Sequence, residues 1–471
     1  MTSLPQLAHA VATISPADLL PARRSGEEAR LAYPLRLLDA YPLVDAGPSV
    51  EPDPGNLGAG PWAAVVVDGA GTMLGVPLVA VSQQPLVVRR AVPGDGAATA
   101  LVDRLCRPGR LRIAAGAFGL YALDAGLLPP REVTGESALD VDQTHESVVV
   151  DGAGVVKWAV HLSPREGEPP AVRVLRHLSA VGFDQIPATL GHLVWHGAAR
   201  PGGKVSELLL ASASAYLPGA KDGWDWYVDD LVAYLAGERT AAEVAAPAAS
   251  IGGLVARLHL ALATASRENQ QPVRAASMSD SWWWRDDAVA TLDEAMAVTG
   301  GDAGARLAAR SVRARASLDR IGAVSETPVT MVHGDLHVGQ ILRWAGGLVV
   351  NDFDGNPVLS AEQQSAMQPP ARDVAGMLRS LDHVGRIVDK RSGHVHTVAI
   401  ERWIASVRAG FLRAYRSELA AAGQSALLDE RLLGAFEVEQ ECRELVYAAR
   451  HLPHWVYVPD AALSALLPEE L

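Results

Sequence analysis

The sequence predicts an α+β fold of two lobes, strand-rich then helical, with an extra N-terminal α/β cap. Three observations carry this. Short apolar runs divided by glycine- and aspartate-containing turns recur from about residue 63 to residue 212. From Trp224 onward the pattern becomes mainly helical. Within that helical part, two more short apolar runs, 329–332 and 348–350, frame a stretch dense in acidic and amide side chains. A chain of 471 residues is too long for one ordinary core, so two or three domains are expected.

Residues 1–130 form the expected cap. Runs 63–67, 75–81 and 86–90 read as strands, with Asp68-Gly69-Ala70-Gly71 as a hairpin turn between the first two. Residues 97–106 read as a helix. No chemistry is evident in this part. Residues 131–219 form the second unit. Strands 147–150 and 155–162 are joined by Asp151-Gly152-Ala153-Gly154, a second tight hairpin. A helix at 171–181 and a strand at 207–212 follow. Residues 220–471 form the helical lobe.

Bulk properties narrow the function. Hydrophobic residues make up 49% and charged residues 20%, as in a soluble globular protein, and no run is expected to span a bilayer. The N-terminal stretch lacks the basic start of a secretory signal, so a cytoplasmic location is expected. Cys106 and Cys442 fall in different units and are expected to be reduced and buried. A net charge of −13 would repel nucleic acid and suits a small cationic partner. A monomer is expected.

The most informative residues are His333-Gly334-Asp335-Leu336-His337-Val338-Gly339-Gln340, followed after one short strand by Asn351-Asp352-Phe353-Asp354-Gly355. Phosphoryl transfer needs a carboxylate to orient the acceptor hydroxyl and take its proton, and oxygen ligands for a metal. Asp335 suits the first task; Gln340, five residues on, and Asp352 suit the second, with Asp354 close by. The spacing matches the protein-kinase catalytic loop with Gln in place of Asn. Asp-Phe-Asp-Gly reads as the kinase metal-binding segment with one residue inserted. A hairpin would put Asp335, Gln340 and Asp352 at one end of two adjacent strands, where they could share Mg²⁺ between the phosphates of ATP.

These motifs, with Arg372-Asp373-Val374-Ala375-Gly376-Met377-Leu378, resemble the aminoglycoside phosphotransferase-type kinases, and within them the actinobacterial maltokinase and glucosamine kinase branch. The resemblance implies a two-lobed, protein-kinase-like enzyme with an N-terminal cap. It is specific from about residue 140 and weak before it. It implies that Lys157, inside a strand, reaches the nucleotide phosphates. Thr144 and Ser147 then belong to a glycine-free phosphate loop, and Ala211 and Ser212 to the hinge strand that meets adenine. It also implies that Arg372 and Asp373 support the catalytic loop. One departure stands out: helix 171–181 has Arg173 and Arg176 where a kinase carries the glutamate that pairs with its lysine, and Glu168 is one substitute. His259 is expected to be a hydrogen-bonded core histidine, and Trp282-Trp283-Trp284 to pack between helices.

The C-terminal helix, about 432–451, carries Glu437, Gln440, Glu441 and Glu444 at three- and four-residue steps. A solvated acidic face is the ordinary explanation. Carboxylates beside an aromatic plane, Trp455, are also what a sugar site requires. The run Gln440-Glu441-Cys442-Arg443-Glu444, with Trp455, resembles the glucosamine kinase signature. It implies D-glucosamine as acceptor, phosphorylated at O6, with Asp335, His337, Gln440, Glu441, Glu444 and Trp455 around it. The competing readings are a maltokinase, an aminoglycoside-modifying enzyme and a non-catalytic pseudokinase.

Overall fold

A computed structural model describes residues 2–21, 31–44, 56–105, 109–113, 116–123, 135–139, 146–162, 168–197, 207–356 and 359–468. The chain divides into two compact units. The first holds Met1–Arg176 and Pro187–Leu217; the second holds His177–Ile186 and Pro218–Leu471.

The first unit begins with helix α1 (Leu4–Ala12), started by a capping box in which Ser3 and Gln6 satisfy each other's end of the turn. Strands β1 (Arg36–Pro42), β2 (Trp62–Val67), β3 (Met73–Gln83) and β4 (Leu86–Arg90) precede helix α2 (Ala97–Leu105). Then come β5 (Gly109–Ile113), β6 (Gly116–Ala122), β7 (Glu136–Ala138), β8 (Glu146–Val150), β9 (Gly154–Trp158) and β10 (His161–Leu162). Helix α3 (Pro170–Val181), whose last residues belong to the second unit, leads to β11 (Thr189–Gly197) and β12 (Glu207–Ser214). One sheet has the order β1-β2-β3-β10, with β4 also on β3; the other runs β5-β6-β11-β12-β9-β8-β7.

The apolar run 155–162 is therefore two strands in two sheets. After Trp158 the chain leaves β12, and His161 and Leu162 pair with Leu74 and Met73 of β3. Gly75 makes room: its N–H meets the Val160 carbonyl at 3.0 Å, and a Cβ there would stand 2.6 Å from the Ala159 carbonyl oxygen. The seven-stranded sheet also runs across residue 130, and Tyr41, Leu101, Phe118, Val156, Trp158, Leu193 and Leu210 share one core. Two buried polar groups pin this unit. Asp39 accepts the Trp195 indole N–H at 3.0 Å, and Arg90 reaches Glu146 (2.8 Å from Nε) and the Leu19 carbonyl (3.1 Å). Glu136 accepts the N–H groups of Gly94, Gly96 and Thr99 at 2.8–3.0 Å, a carboxylate placed where α2's unpaired amides need one.

The second unit is mainly helical: α4 (Gly223–Leu235), α5 (Ala241–Leu262), α6 (Met278–Val298), α7 (Gly301–Asp319), α8 (Ala361–Ser365), α9 (Ala371–Arg391), α10 (Thr397–Ala421), α11 (Leu433–His451) and α12 (Tyr457–Leu466). Two-residue strands β13 (Arg274–Ala275) and β14 (Pro328–Val329) pair with each other, and β15 (Ile341–Trp344) with β16 (Gly347–Val350) forms a hairpin. The run 329–332 is thus mostly not strand; Thr330 makes only an isolated bridge, to Gln368. Among the described residues α5 alone is long and apolar enough to cross a membrane, and its apolar face is buried in this unit. Gly252 lets α5 cross α10 closely, since a Cβ would lie 2.3 Å from the Phe411 carbonyl oxygen. Of the tryptophan triplet, Trp284 is buried between helices, whereas Trp282 and Trp283 are exposed.

Candidate active site

The second unit builds its site on the turn before β15. Gly334, at φ 83°, and the residues around it are held by a carboxylate at the start of α9. Asp373 accepts the backbone N–H of His333 at 2.7 Å and of Gly334 at 2.9 Å. It also receives His259 Nε2 at 3.1 Å, while His259 Nδ1 meets the Tyr415 hydroxyl at 2.7 Å. Burial would raise the Asp373 pKa, but its bond to His259, the nearby histidines and the Gly334 N–H hold it below the usual carboxylate range. His259 is thus a hydrogen-bonded core histidine. Gly376 lets α9 approach, as a Cβ would sit 2.7 Å from the Leu336 carbonyl oxygen. Ser380 accepts the Val338 N–H at 2.9 Å.

Asp335 projects from this braced turn and is half-buried. Burial lifts its pKa to about 6; His333 and Arg443 pull it down, and Asp352 and Asp373 push it up. At neutral pH it is mostly ionised yet basic enough to take a proton. His337 is pushed the other way, to about 4, chiefly by burial, so its ring is neutral. Its Nδ1 accepts the Gly339 N–H at 3.1 Å and its Nε2 lies 3.3 Å from the Gln340 amide nitrogen.

The hairpin does place the oxygen-bearing residues together. Ile341 pairs with Val350, and the Asn351 N–H meets the Gln340 carbonyl at 2.9 Å, so Gln340 and Asp352 flank the open end of β15 and β16. Asp352 adopts φ 63°, a left-handed conformation that Asp tolerates better than most side chains. Asp354 follows two residues on. Phe353 is buried, with its ring 4.8 Å from that of His333.

The acceptor-side residues separate into two groups. Gln440 donates to Glu444 at 3.1 Å, and Glu444 is close enough to His337 for its charge to favour the protonated ring. Trp455 meets Trp224 edge-on at 6.2 Å, and Trp224 lies 5.9 Å from His337, so an aromatic line connects the end of α11 to the catalytic turn. Glu441 is elsewhere. It is fully buried, both its oxygens lie 3.0 Å from His383 Nε2, and Arg379 is 3.6 Å away. Glu437 is likewise buried against Arg379 (2.7 Å) and Arg408 (3.0 Å). Half of the acidic row is thus neither a solvated face nor part of the sugar site: Glu437 and Glu441 lie in an interior ion-pair network, because Arg379 and His383 on α9 and Arg408 on α10 face them, so Glu441 is not the substrate residue expected. Arg372 also differs from expectation. It bonds Glu439 at 2.6 Å and lies over the Phe436 ring, so it braces α11 while Asp373 alone holds the turn.

In the first unit, Ser147, Lys157 and Ser212 stand directly opposite one another on β8, β9 and β12. All three are half-buried on one face, while Val148, Val156 and Trp158 fill the other. Ala211 and Ser212 are central-strand residues, paired with β9 on one side and β11 on the other. Their backbone groups serve the ladder, so an adenine edge would have to meet the chain beyond Ser214. Glu168 is ion-paired with Arg176. Thr144 lies outside the described residues, as does Cys106; Cys442 is buried and unpaired.

Sequence reasoning passed over several contributors. Trp224 marked only the start of the helical part, and His333 stood inside a quoted motif without a role, as did Arg443, which bonds Glu439 at 2.5 Å and Asp287 at 2.9 Å. Asp287 carried no local signal. A cavity of about 460 Å³ between α5 and the hairpin, lined by Gln185, Glu243, Leu254, Arg343 and Leu348, contains none of the candidate residues.

Comparison with known proteins decides the family. No family model matches the chain. It is 45% identical over 469 residues, 99% of both lengths, to the glucosamine kinase of Streptacidiphilus jiangxiensis. It is 40% identical over 383 residues, 81% of this chain and 90% of the other, to the glucosamine kinase of Mycolicibacterium smegmatis. The chain belongs to the glucosamine kinase family. A solved glucosamine kinase matches 98% of it at 42% identity with a TM-score of 0.79. Another, in complex with glucosamine, ADP and inorganic phosphate, does so with a TM-score of 0.76. The α+β fold and the kinase family expected from the motifs are those found.

Proposed function

We propose that this chain is an ATP-dependent kinase that transfers the γ-phosphoryl group to O6 of D-glucosamine, giving glucosamine 6-phosphate and ADP. The observation that carries the reading is its match, over 98% of its length, to a glucosamine kinase solved with glucosamine, ADP and inorganic phosphate. The second unit supplies groups suited to that reaction.

Asp335 is the catalytic carboxylate. It accepts the proton of O6–H as O6 bonds to the γ-phosphorus and the bond to the β-bridging oxygen breaks. The neutral ring of His337, with Gln440, Glu444 and Trp455, forms the acceptor pocket. Glu444 receives the 2-ammonium, and Trp455 gives the sugar ring a flat wall. In the first unit Lys157 contacts the nucleotide phosphates, with Ser147 and Ser212 in its row and Thr144 in the preceding loop. The adenine edge is met after Ser214. Among the described residues no three His, Cys, Asp or Glu side chains form a metal cluster. The set here is an amide and two carboxylates, Gln340, Asp352 and Asp354. Such a sparse oxygen set fits Mg²⁺, which keeps waters and takes phosphate oxygens as ligands. Bound there, Mg²⁺ would neutralise charge on the transferring phosphates. A single chain carries every group named, so a monomer suffices, and the need for ATP fits a cytoplasmic enzyme.

A coupled assay of ADP release with glucosamine, glucose, maltose and kanamycin tests this. Glucosamine is expected to have the highest kcat/KM. Faster turnover of maltose would move the assignment to a maltokinase, of kanamycin to a resistance enzyme, and no turnover at all to a pseudokinase.

A further inference from the structure

The Asp-Phe-Asp-Gly segment is followed by a residue to which neither proton transfer nor metal binding gives a task. Asn356 Nδ2 donates to Asp335 Oδ1 at 3.1 Å. Gly334 (φ 83°) and Gly355 (φ 76°), one on each segment, both take left-handed backbone that side chains rarely adopt. Asn356 is itself held. Its carbonyl accepts Gln364 Nε2 at 2.7 Å and the Leu359 N–H at 3.1 Å. Gln364 belongs to α8, a single turn closed by the Ser360–Gln363 capping box. From the neighbouring position Gln363 Nε2 donates to Asp287 Oδ1 at 2.8 Å, and the other Asp287 oxygen takes Arg443 of α11 at 2.9 Å. A continuous line of hydrogen bonds therefore runs from the Asp335 carboxylate through α8 to the helix that carries Gln440 and Glu444.

An aspartate carboxyl rotates in a broad, shallow torsional well, so its plane is set by what bonds it. Asp373 is held ionised and cannot supply a donor. We propose that Asn356 is a positioning residue that fixes the plane of the Asp335 carboxylate by occupying Oδ1, leaving Oδ2 as the oxygen that takes the acceptor proton, with α8 as its brace. This rests on the reading of Asp335 as the catalytic carboxylate.

The test is steady-state kinetics of the full chain with ATP, Mg²⁺ and glucosamine, with thermal denaturation alongside. Asn356→Ala is expected to lower kcat about 10- to 100-fold, the cost of a misplaced catalytic group. KM for both substrates and Tm should barely move, a split that general structural damage would not give. Asn356→Asp, which swaps the donor for a like charge, should lower kcat further. Gln364→Met keeps length and loses the donor, so it should lower kcat several-fold with KM unchanged. A kcat within about twofold of wild type in Asn356→Ala, or a loss appearing in the sugar KM instead, would overturn the proposal. If Asn356→Ala does not fold, unchanged kcat in Gln364→Met overturns it equally. Asp335→Ala separates the two ideas. An inactive Asp335→Ala beside a fully active Asn356→Ala removes only the positioning role, and an active Asp335→Ala removes the catalytic assignment beneath it.

Discussion

Glu441 and Glu444 stand three residues apart on α11, and the interior treats them in opposite ways. Glu441 is sealed, with His383 on both oxygens and Arg379 beside it. Among the described residues Glu444 is hydrogen-bonded by the Gln440 amide alone, next to the aromatic line from Trp455 to His337. The same contrast recurs between Asp373, which collects two backbone N–H groups and His259, and Asp335, whose carboxylate is bonded among the described residues by the Asn356 amide alone. Carboxylates supplied with donors hold the fold. Carboxylates short of donors keep lone pairs for an incoming proton or cation, and these are the ones that chemistry can use.

The largest effect should come from Asp335. Asp335→Ala is expected to lower kcat by about 10³-fold or more, with ATP binding nearly unchanged, because proton acceptance and orientation are lost together. In the wild type, activity should fall on acidification through about pH 6 as this carboxyl takes up its proton. Bound Mg²⁺ beside Asp352 can only move that limb lower. Near-native turnover in Asp335→Ala would erase the distinction between poised and satisfied carboxylates at its clearest point.

Glu441 should show the reverse profile. Removing one member of a buried ion pair leaves the other uncompensated, so Glu441→Gln should cost about 3 kcal/mol of stability. Selectivity between glucosamine and glucose should stay as it was. The pH dependence has a definite sign. Burial opposes the charge on His383, but Glu441 outweighs it and raises the folded pKa above the usual 6.5. The histidine's side of the pair is therefore complete below that value and fades as pH rises past the raised one; burial also raises the Glu441 pKa, so strong acidification removes the carboxylate's side. Denaturant titrations at pH 6 and pH 9 should find the larger loss at pH 6. An equal or larger loss at pH 9 would mean that Arg379, not His383, is the partner that counts.

Asp335→Asn offers a finer test, because it removes charge and keeps shape. The wild-type carboxyl has a folded pKa of about 6 against 3.8 when free. Folding therefore favours its protonated form, and its ionisation above pH 6 works against the native state. The amide should stabilise the ligand-free protein at pH 8 by at most about 3 kcal/mol, and by little at pH 4. A destabilised Asp335→Asn at pH 8 would place this residue among the satisfied group.

Local pattern made the catalytic half of the molecule legible. The octet from His333 to Gln340 and the run from Asn351 to Gly355 sit on a hairpin whose register follows from two short apolar strands and an Ala345-Gly346 turn. What stayed hidden depends on residues far apart in sequence. Nothing near Glu441 announces that His383 lies against it 58 residues away, and α11 is apolar enough around its circumference to accept a buried charge only because Arg379 and Arg408 face it. The break after Trp158 was hidden for a similar reason. Both halves of the run 155–162 are good strand sequence, and only the approach of β3 at Gly75 decides that they enter different sheets. Ala211 and Ser212 read as a hinge because strand composition does not reveal whether a neighbour lies on each side.

The smallest expected effect is on substrate choice, and it bears most directly on the contrast between the two glutamates. An ammonium beside a carboxylate in a partly dry pocket gains a charge-assisted hydrogen bond worth roughly 1.5–3 kcal/mol over a hydroxyl in the same place. That corresponds to about a 10- to 150-fold preference for glucosamine over glucose. Glu444→Gln keeps the bond to Gln440 within reach of its amide oxygen and removes only the charge, so most of this preference should disappear while Tm stays close to wild type. His337 supplies a second readout. The Glu444 charge favours protonation of that ring, so in Glu444→Gln its already low pKa should fall further, visible as an upfield-limb change in its NMR titration below pH 5. If Glu444→Gln keeps full discrimination while Glu441→Gln loses it, the sealed glutamate reads the amine and the two roles on α11 must be exchanged.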